Sequence, residues 1–577
     1  MKHRTTTKTV SRLTLLALLA VSTVTTAGNR MSERAREALE NRPLDMVELI
    51  VTYHQAPGPD DRANVVNNGG QIRREFKLIQ GHAITVPANT AVALENNPNI
   101  ARISYDEPVS GAAYQYQTLD DGLYTVTNLS TKAVVSLPSP VSAGLPGLTS
   151  VPYTGSGVKV AVLDTGFKSH GDLSPSFTYS LVGNKADDDY GHGNHVAAII
   201  GGNGSKSGGS YRGVAPDASV IAVKVLDEQG QGLTSDVIAG LDEVLMLNQQ
   251  YWHIKVVNMS LGHPVYEAAA DDPLVQAVEA IWDSGVVVVC SAGNAGRDGY
   301  GTITSPGNSR KVITVGSVTT WGDSDTSNDI VSTFSSRGPT RIDRFVKPDL
   351  ITHGNRVISA NAARSYLESN IPANLISAPG SNKTEYYQLS GTSMAAGVVS
   401  GTVALMLEQD PSLTPDTIKA RLMRSARKAD FADVFATGAG LLDIPAALAE
   451  TRTASQAPSP RVKRDDATGR LGFEETANLW GHQQWALGYL WSDGYLWSDQ
   501  SVDADGYLWS DGYLWSDGYL WSDGYLWSDG YLWSDGYLWS DSYLWSDGYL
   551  WSDGYLWSDG STTSDGYLWS DAVIKND

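Results

Sequence analysis

The chain has 577 residues, 41% of them hydrophobic, and a formal net charge of −22. That length allows several domains and at least one large core, while the single cysteine, Cys290, excludes an intramolecular disulfide. The charge is uneven, with −15 carried by residues 488–577 and −7 by the rest, and no basic patch marks nucleic acid as a partner.

In chain order, a basic stretch, "MKHRTTTKTVSR", precedes the apolar "LTLLALLAVSTV" and a small-residue site near Ala27. This predicts a Sec-type signal peptide over 1–27, and hence a secreted, extracellular protein. No cysteine follows it to take an N-terminal lipid. No other segment approaches ~18 consecutive apolar residues, so no transmembrane segment is expected. Residues 45–110 read as a small α+β unit: strand "MVELIVTY", helix "DRANVVNNGG", strand "HAITVP", helix "NTAVALENNPNI" and strand "ARISYDE". Residues 111–150, rich in Ser, Thr, Gly and Pro, read as an irregular or processed connection.

Residues 151–450 alternate apolar strands ("VKVAVLD", "SVIAVKVL", "IKVVNMS", "GVVVVCSA", "KVITVGSV") with amphipathic helices such as "SDVIAGLDEVLMLNQQ" and "DPLVQAVEAIWDSG". The rhythm predicts an α/β fold with a mostly parallel sheet flanked by helices. Ligands and reactive groups then gather beyond the carboxyl ends of the strands. Residues 451–487 read as a linker. From Gly488 to Asp571 a hexad "GYLWSD" recurs in one frame.

Four residues near those strand ends carry chemistry. Asp164 ends "VKVAVLD", where it is either a turn carboxylate or a holder of another group. "GHGNHVA" sets His192 and His195 three apart on one helical face, and the spacing does not choose between them. A His-x-x-His metal pair lacks a third ligand nearby. Asn294 follows "SAG" as a turn residue or an amide donor to developing negative charge. Ser393, in "GTSMAAG", reads alone as a helix cap. Its small neighbours, however, admit a substrate carbonyl, and the helix N-terminus supplies N–H donors. Together these residues form an orienting carboxylate, a general base, an oxyanion amide and a nucleophile.

The ordered motifs "VAVLDTG", "GHGNHVA", "GVAP", "NMSLG", "SAGN", "FSSRGP" and "GTSMAA" resemble the subtilisin-like serine proteases, the subtilase family, over roughly residues 150–450. The resemblance implies a secreted serine endopeptidase acting through an acyl-enzyme. Ser393 would be nucleophile, His192 general base and Asp164 its orienter, with Asn294 and the Ser393 N–H at the oxyanion. It implies that Ser260, Leu261 and Gly262, with 230–235, pair with an extended peptide, and that Ser291, Ala292 and Gly293 wall the P1 pocket. No cofactor is required for the chemistry. Calcium sites occur in the family and Asp172 resembles one ligand, so structural calcium and metal ligation stay open. Residues 45–110 resemble the family's inhibitory propeptide, an intramolecular partner besides protein or peptide substrates. Departures are Asn194 where threonine is usual, Gly397-Val398 where Pro-His is usual, and Thr352-His353-Gly354 in place of Ala-Pro-Gly.

The tail's fixed frame fits a β-solenoid, the alternative being a recently duplicated, loosely ordered tract. Its aromatics suit contact with a cell surface or polysaccharide. The competing functional reading is therefore an inactive subtilase-fold protein for surface adhesion, assembly or glycan binding.

Overall fold

The computed structural model describes residues 30–111, 148–320, 328–427 and 434–464, together with the backbone of short strands within 126–140 and beyond 470. The predicted signal peptide lies outside the described residues.

The N-terminal unit begins before the predicted boundary. Ser32 caps α1 (Glu33–Asn41) by accepting from the Ala35 N–H, and Ala35 and Leu39 are buried beneath it. Then follow β1 (Met46–Tyr53), α2 (Pro59–Asn67), β2 (Gln71–Glu75), β3 (Gly81–Pro87), the one-turn α3 (Ala88–Ala91) and β4 (Ile100–Tyr105). They form an antiparallel sheet of order β2-β3-β1-β4, with Leu49, Val51, Ile84, Val86, Ile100 and Ile103 in its core. β2 was not expected: "QIRRE" has no apolar alternation, and pairing with β3 supplies what the pattern lacks. A final strand, β5 (Pro108–Gly111), leaves this sheet altogether.

The larger domain is built on an eight-stranded sheet. Its central strands Lys159–Asp164, Ser219–Lys224, Ile254–Met259, Val287–Ser291 and Ile313–Thr319 are parallel, and Ile330–Val331 is antiparallel at the edge. The continuous Val-rich runs are buried on both faces, as helical cover on both sides requires. The helices that matter below are α4 (His192–Gly201), α5 (Thr234–Gln249), α6 (Pro273–Asp283), the short α7 (Tyr366–Asn370) and α8 (Thr392–Gln409). α4 and α8 pack closely because a Cβ at Gly397 would stand only 3.1 Å from Ile199 Cγ2. The departure at Gly397 therefore exchanges helix propensity, ~1 kcal/mol, for helix proximity. Cys290 is buried, and burial pushes its thiol up to about 12, so it is a core residue and not a reactive one.

Of the predicted linker, residues 451–462 are packed on this domain. Ser459 Oγ donates to Asp349 Oδ1 at 2.6 Å, Ala457 N–H to Asp416 at 2.7 Å, and Val346 N–H to the Pro460 carbonyl at 2.8 Å. Pro and Ser there mark a chain that docks by single hydrogen bonds, a signal that composition cannot tell from a free linker. In the tail, each hexad's backbone strand pairs in parallel with the hexad three further on, as Tyr489 with Tyr507, giving three five-stranded sheets. Among the described residues, no helix is long and apolar enough to cross a membrane.

Candidate active site

Asp164 ends its strand buried at the carboxyl edge of the sheet. Its Oδ1 accepts from His192 Nδ1 at 2.7 Å and from the Thr165 N–H at 2.7 Å. Because that partner is a carboxylate oxygen, Nδ1 carries the proton and Nε2 is the basic nitrogen. Nε2 is buried and makes no hydrogen bond. Burial opposes the imidazolium, but the Asp164 carboxylate beside the ring and the Asp188 charge behind it prevail, so the His192 pKa lies above its ordinary value. His192 can stand here because Gly191, at φ +110°, turns the chain immediately before α4. A Cβ at Gly191 would also meet Ser365 Oγ at 2.7 Å.

The structure separates the two histidines. His195 Nε2 donates to the carbonyls of Val357 and Tyr387 at 3.1 and 3.0 Å, and burial with the nearby His192 lowers its pKa to about 3. It is a neutral internal strut. The departure at Asn194 is also resolved. Its amide clamps Lys168, Oδ1 accepting from the N–H at 2.6 Å and Nδ2 donating to the carbonyl at 2.8 Å, with separate acceptor and donor atoms where threonine has one hydroxyl for both.

Ser393 lies in the first turn of α8, fully buried. Its Oγ donates to the Ser260 carbonyl at 3.3 Å, and Ser260 Oγ donates back to the Ser393 carbonyl at 2.9 Å. Ser260 follows Met259, whose strand partner Leu163 precedes Asp164, so both halves of the site sit on neighbouring strand ends. No hydrogen bond joins Ser393 Oγ to His192 Nε2. Asn294 is fixed through Oδ1, which accepts from Thr392 N–H at 3.0 Å and Thr392 Oγ1 at 3.1 Å. Ser291, Ala292 and Gly293 are buried at the end of their strand, and Thr392 Oγ1 is 3.2 Å from both the N–H and the carbonyl of Gly293.

The two predicted peptide-pairing stretches flank a strand of the chain itself. β5 runs antiparallel to Gln231–Leu233 on one side, with Val109 opposite Gly232. On the other it runs antiparallel to Leu261–Pro264, with Ser110 opposite Gly262 and Gly111 opposite Leu261. A Cβ at Gly111 would lie 3.5 Å from His192 Nδ1. The N-terminal unit is held there by Ile50, Phe76, Ile79, Ala83 and Val109, which join the larger domain's apolar core, and by charge-assisted contacts. Asp242 accepts from the Lys77 and Leu78 N–H groups, Asp106 from the Ser235 N–H at 2.9 Å, and Arg102 meets Glu267 at 2.7 Å. Within the unit, Arg34 meets Glu107 at 3.2 Å, and burial pushes Glu107 up to about 7 although Arg34 pulls the other way. None of these interface carboxylates was singled out from the sequence, where they read as ordinary helix and loop acids.

Asp172, which resembles a family calcium ligand, is engaged by the chain itself. Its carboxylate accepts from Lys206 N–H and from the Ser205 and Tyr386 hydroxyls. Among the described residues, no three His, Cys, Asp or Glu side chains gather as a metal site.

The profile described as the Subtilase family matches residues 155–440. Serine protease AprX of Bacillus subtilis (strain 168) is 40% identical over 298 residues, covering 50% of this chain and 66% of that protein. Subtilisin E of the same organism is 30% identical over 439 residues, covering 75% of this chain and 97% of its own. Among solved structures, fervidolysin from Fervidobacterium pennivorans, a keratinolytic enzyme related to subtilisin, shares the fold with a TM-score of 0.53 and 21% identity. The match covers 73% of this chain and 63% of that one. The chain belongs to the subtilase family and is a subtilisin-like serine endopeptidase.

Proposed function

We propose that this protein is an exported endopeptidase, made with its own inhibitor, that cleaves protein substrates through an acyl-enzyme on Ser393. The observation that carries the reading is the 2.7 Å Asp164–His192 bond, which leaves a buried, unpartnered Nε2 at the same sheet edge as Ser393. Rotation of the Ser393 side chain away from the Ser260 carbonyl turns the hydroxyl toward that nitrogen. Oγ attacks the carbonyl carbon, Nε2 takes the hydroxyl proton, and the same proton passes to the departing amine. Water then attacks the ester by the reverse sequence. Asn294, its Oδ1 anchored on Thr392, directs its NH₂ toward the oxyanion together with the Ser393 N–H.

Residues 30–111 act as the propeptide. β5 lies as a third strand between the two segments that would bind a substrate backbone, and it brings Gly111 against His192. Product-like occupancy of this kind blocks the groove by β-augmentation. The tail is read as a β-solenoid of three hexads per coil, supported by the 18-residue pairing of its strands.

A fluorophosphonate probe applied to the matured wild type and to Ser393→Ala tests the assignment. Labelling of the wild type alone, with peptide hydrolysis lost in the variant, is expected. Equal labelling or equal hydrolysis by Ser393→Ala would sink it.

A further inference from the structure

Asp188 precedes α4 in the acidic stretch "DDDYGHGNH" and is completely buried. Nothing in the mechanism above uses it directly. Its Oδ1 accepts from the Gly191 N–H at 2.6 Å and from Thr165 Oγ1 at 2.8 Å, and its Oδ2 accepts from the Asn194 N–H at 2.8 Å. Burial pushes the Asp188 pKa above its ordinary value, while the N–H and O–H donors on both oxygens pull it back and hold the group as an acceptor, the role the ionised carboxylate fills. The Thr165 hydroxyl in turn accepts from the Gly193 N–H at 2.8 Å, and the Thr165 N–H donates to the Asp164 oxygen that also holds His192. The backbone on both sides of His192 is thereby tied to the strand end that carries Asp164.

Two consequences follow. The unsatisfied N–H groups of the first turn of α4 are collected by one carboxylate and one hydroxyl, so the turn has little freedom to tilt. A second negative charge also stands behind the imidazole and supports its protonated form. The charged and titratable groups around His192 are Asp164 from the strand, Asp188 from the loop and His195 along α4. Lys224 reaches in from the adjacent strand, donating to the Thr165 and Asp187 carbonyls.

We propose that Asp188 is a positioning residue of proteolysis: it fixes the first turn of the helix bearing His192 against Asp164 and favours the imidazolium that forms during attack. This rests on the assignment of His192 as general base. It acts through Thr165 and the α4 backbone and does not touch the substrate.

The test is steady-state kinetics of matured Asp188→Asn across pH, beside Asp188→Glu and thermal melting of each. Asp188→Asn keeps the shape, removes the charge and leaves one N–H facing an NH₂. A fall in kcat of about 10- to 100-fold is expected, by analogy with the loss of outer-shell partners that orient metal-binding side chains, with KM little changed. The acidic limb of kcat/KM should move to lower pH. Asp188→Glu keeps the charge, so its limb should stay near the wild-type position while kcat drops through misplacement. Thr165→Val, cutting the same link from the other side, should lower kcat at unchanged KM. It serves as the second probe where Asp188→Asn fails to fold. Wild-type kcat and pH limb in a folded Asp188→Asn, or wild-type kcat in Thr165→Val, overturns the proposal. Continued Ser393 labelling in those proteins would leave the general-base reading standing, so the two failures are distinguishable.

Discussion

Replacement of Asn294 separates the oxyanion role proposed for its amide from the anchoring of its Oδ1 on Thr392. Asn294→Ala removes the amide proposed to face the oxyanion and also the oxygen that accepts from Thr392 N–H at 3.0 Å and Thr392 Oγ1 at 3.1 Å. The first loss should lower kcat about 10²–10³-fold, the size measured for such a donor in a related enzyme, subtilisin. The second leaves the N–H of fully buried Thr392 without its acceptor, which costs about 1–3 kcal/mol of stability. Asn294→Asp retains the acceptor but sets a carboxylate where negative charge develops. It should melt near the wild-type temperature while losing at least as much kcat as the alanine variant. The assay is hydrolysis of a fluorogenic peptide by matured protein, with KM and kcat resolved, alongside calorimetric melting. If Asn294→Asp retained more than a tenth of wild-type kcat, the amide would not face the oxyanion. If Asn294→Ala melted like the wild type, the Thr392 anchor would carry no weight.

Release of the N-terminal unit should depend on pH. Burial holds Glu107 at about 7 when docked, above its ordinary 4.5, so docking takes up a proton; it is fully favoured below 4.5 and weakened as pH rises through 7. Release of the cleaved unit, followed by size-exclusion chromatography, should therefore quicken across neutrality, and a flat profile contradicts the assignment. His195, lowered to about 3, is kept neutral by the fold. Its contribution to stability is complete above the ordinary value near 6.5 and fades as pH falls toward 3, so acid melting curves of His195→Gln should be flatter than the wild type in that window. Asp349 contacts two buried lysines, Lys347 Nζ at 2.7 Å and Lys419 Nζ at 3.3 Å. Asp349→Ala should cost about 3–5 kcal/mol in denaturant unfolding, because both cations lose their partner in the interior; a loss below 1 kcal/mol would contradict this.

The parallel sheet and its reactive edge were legible because each signal is local. An apolar run such as "VKVAVLD" is buried on both faces wherever it sits, and its terminal carboxylate falls at the sheet's edge. The small residues around Ser393 and the glycines around His192 announce close approach of backbone. Helix α1, by contrast, was missed: its charged sequence shows only Ala35 and Leu39 as core contacts.

What the sequence alone determined, then, is the alternation of strands and helices in the larger domain, the placing of Asp164, Asn294 and Ser393 near strand ends, and the family resemblance, since these depend on residue type and spacing within short segments. Tertiary structure alone decided which histidine faces Asp164, that Asn194 clamps Lys168, that Asp188 gathers the first turn of α4, and that β5 lies between strands more than a hundred residues away in the chain. These depend on directions in space that no periodicity encodes. A hydrogen bond is made by whichever donor the fold points at an acceptor, and the chain sets that direction only once its distant parts have packed.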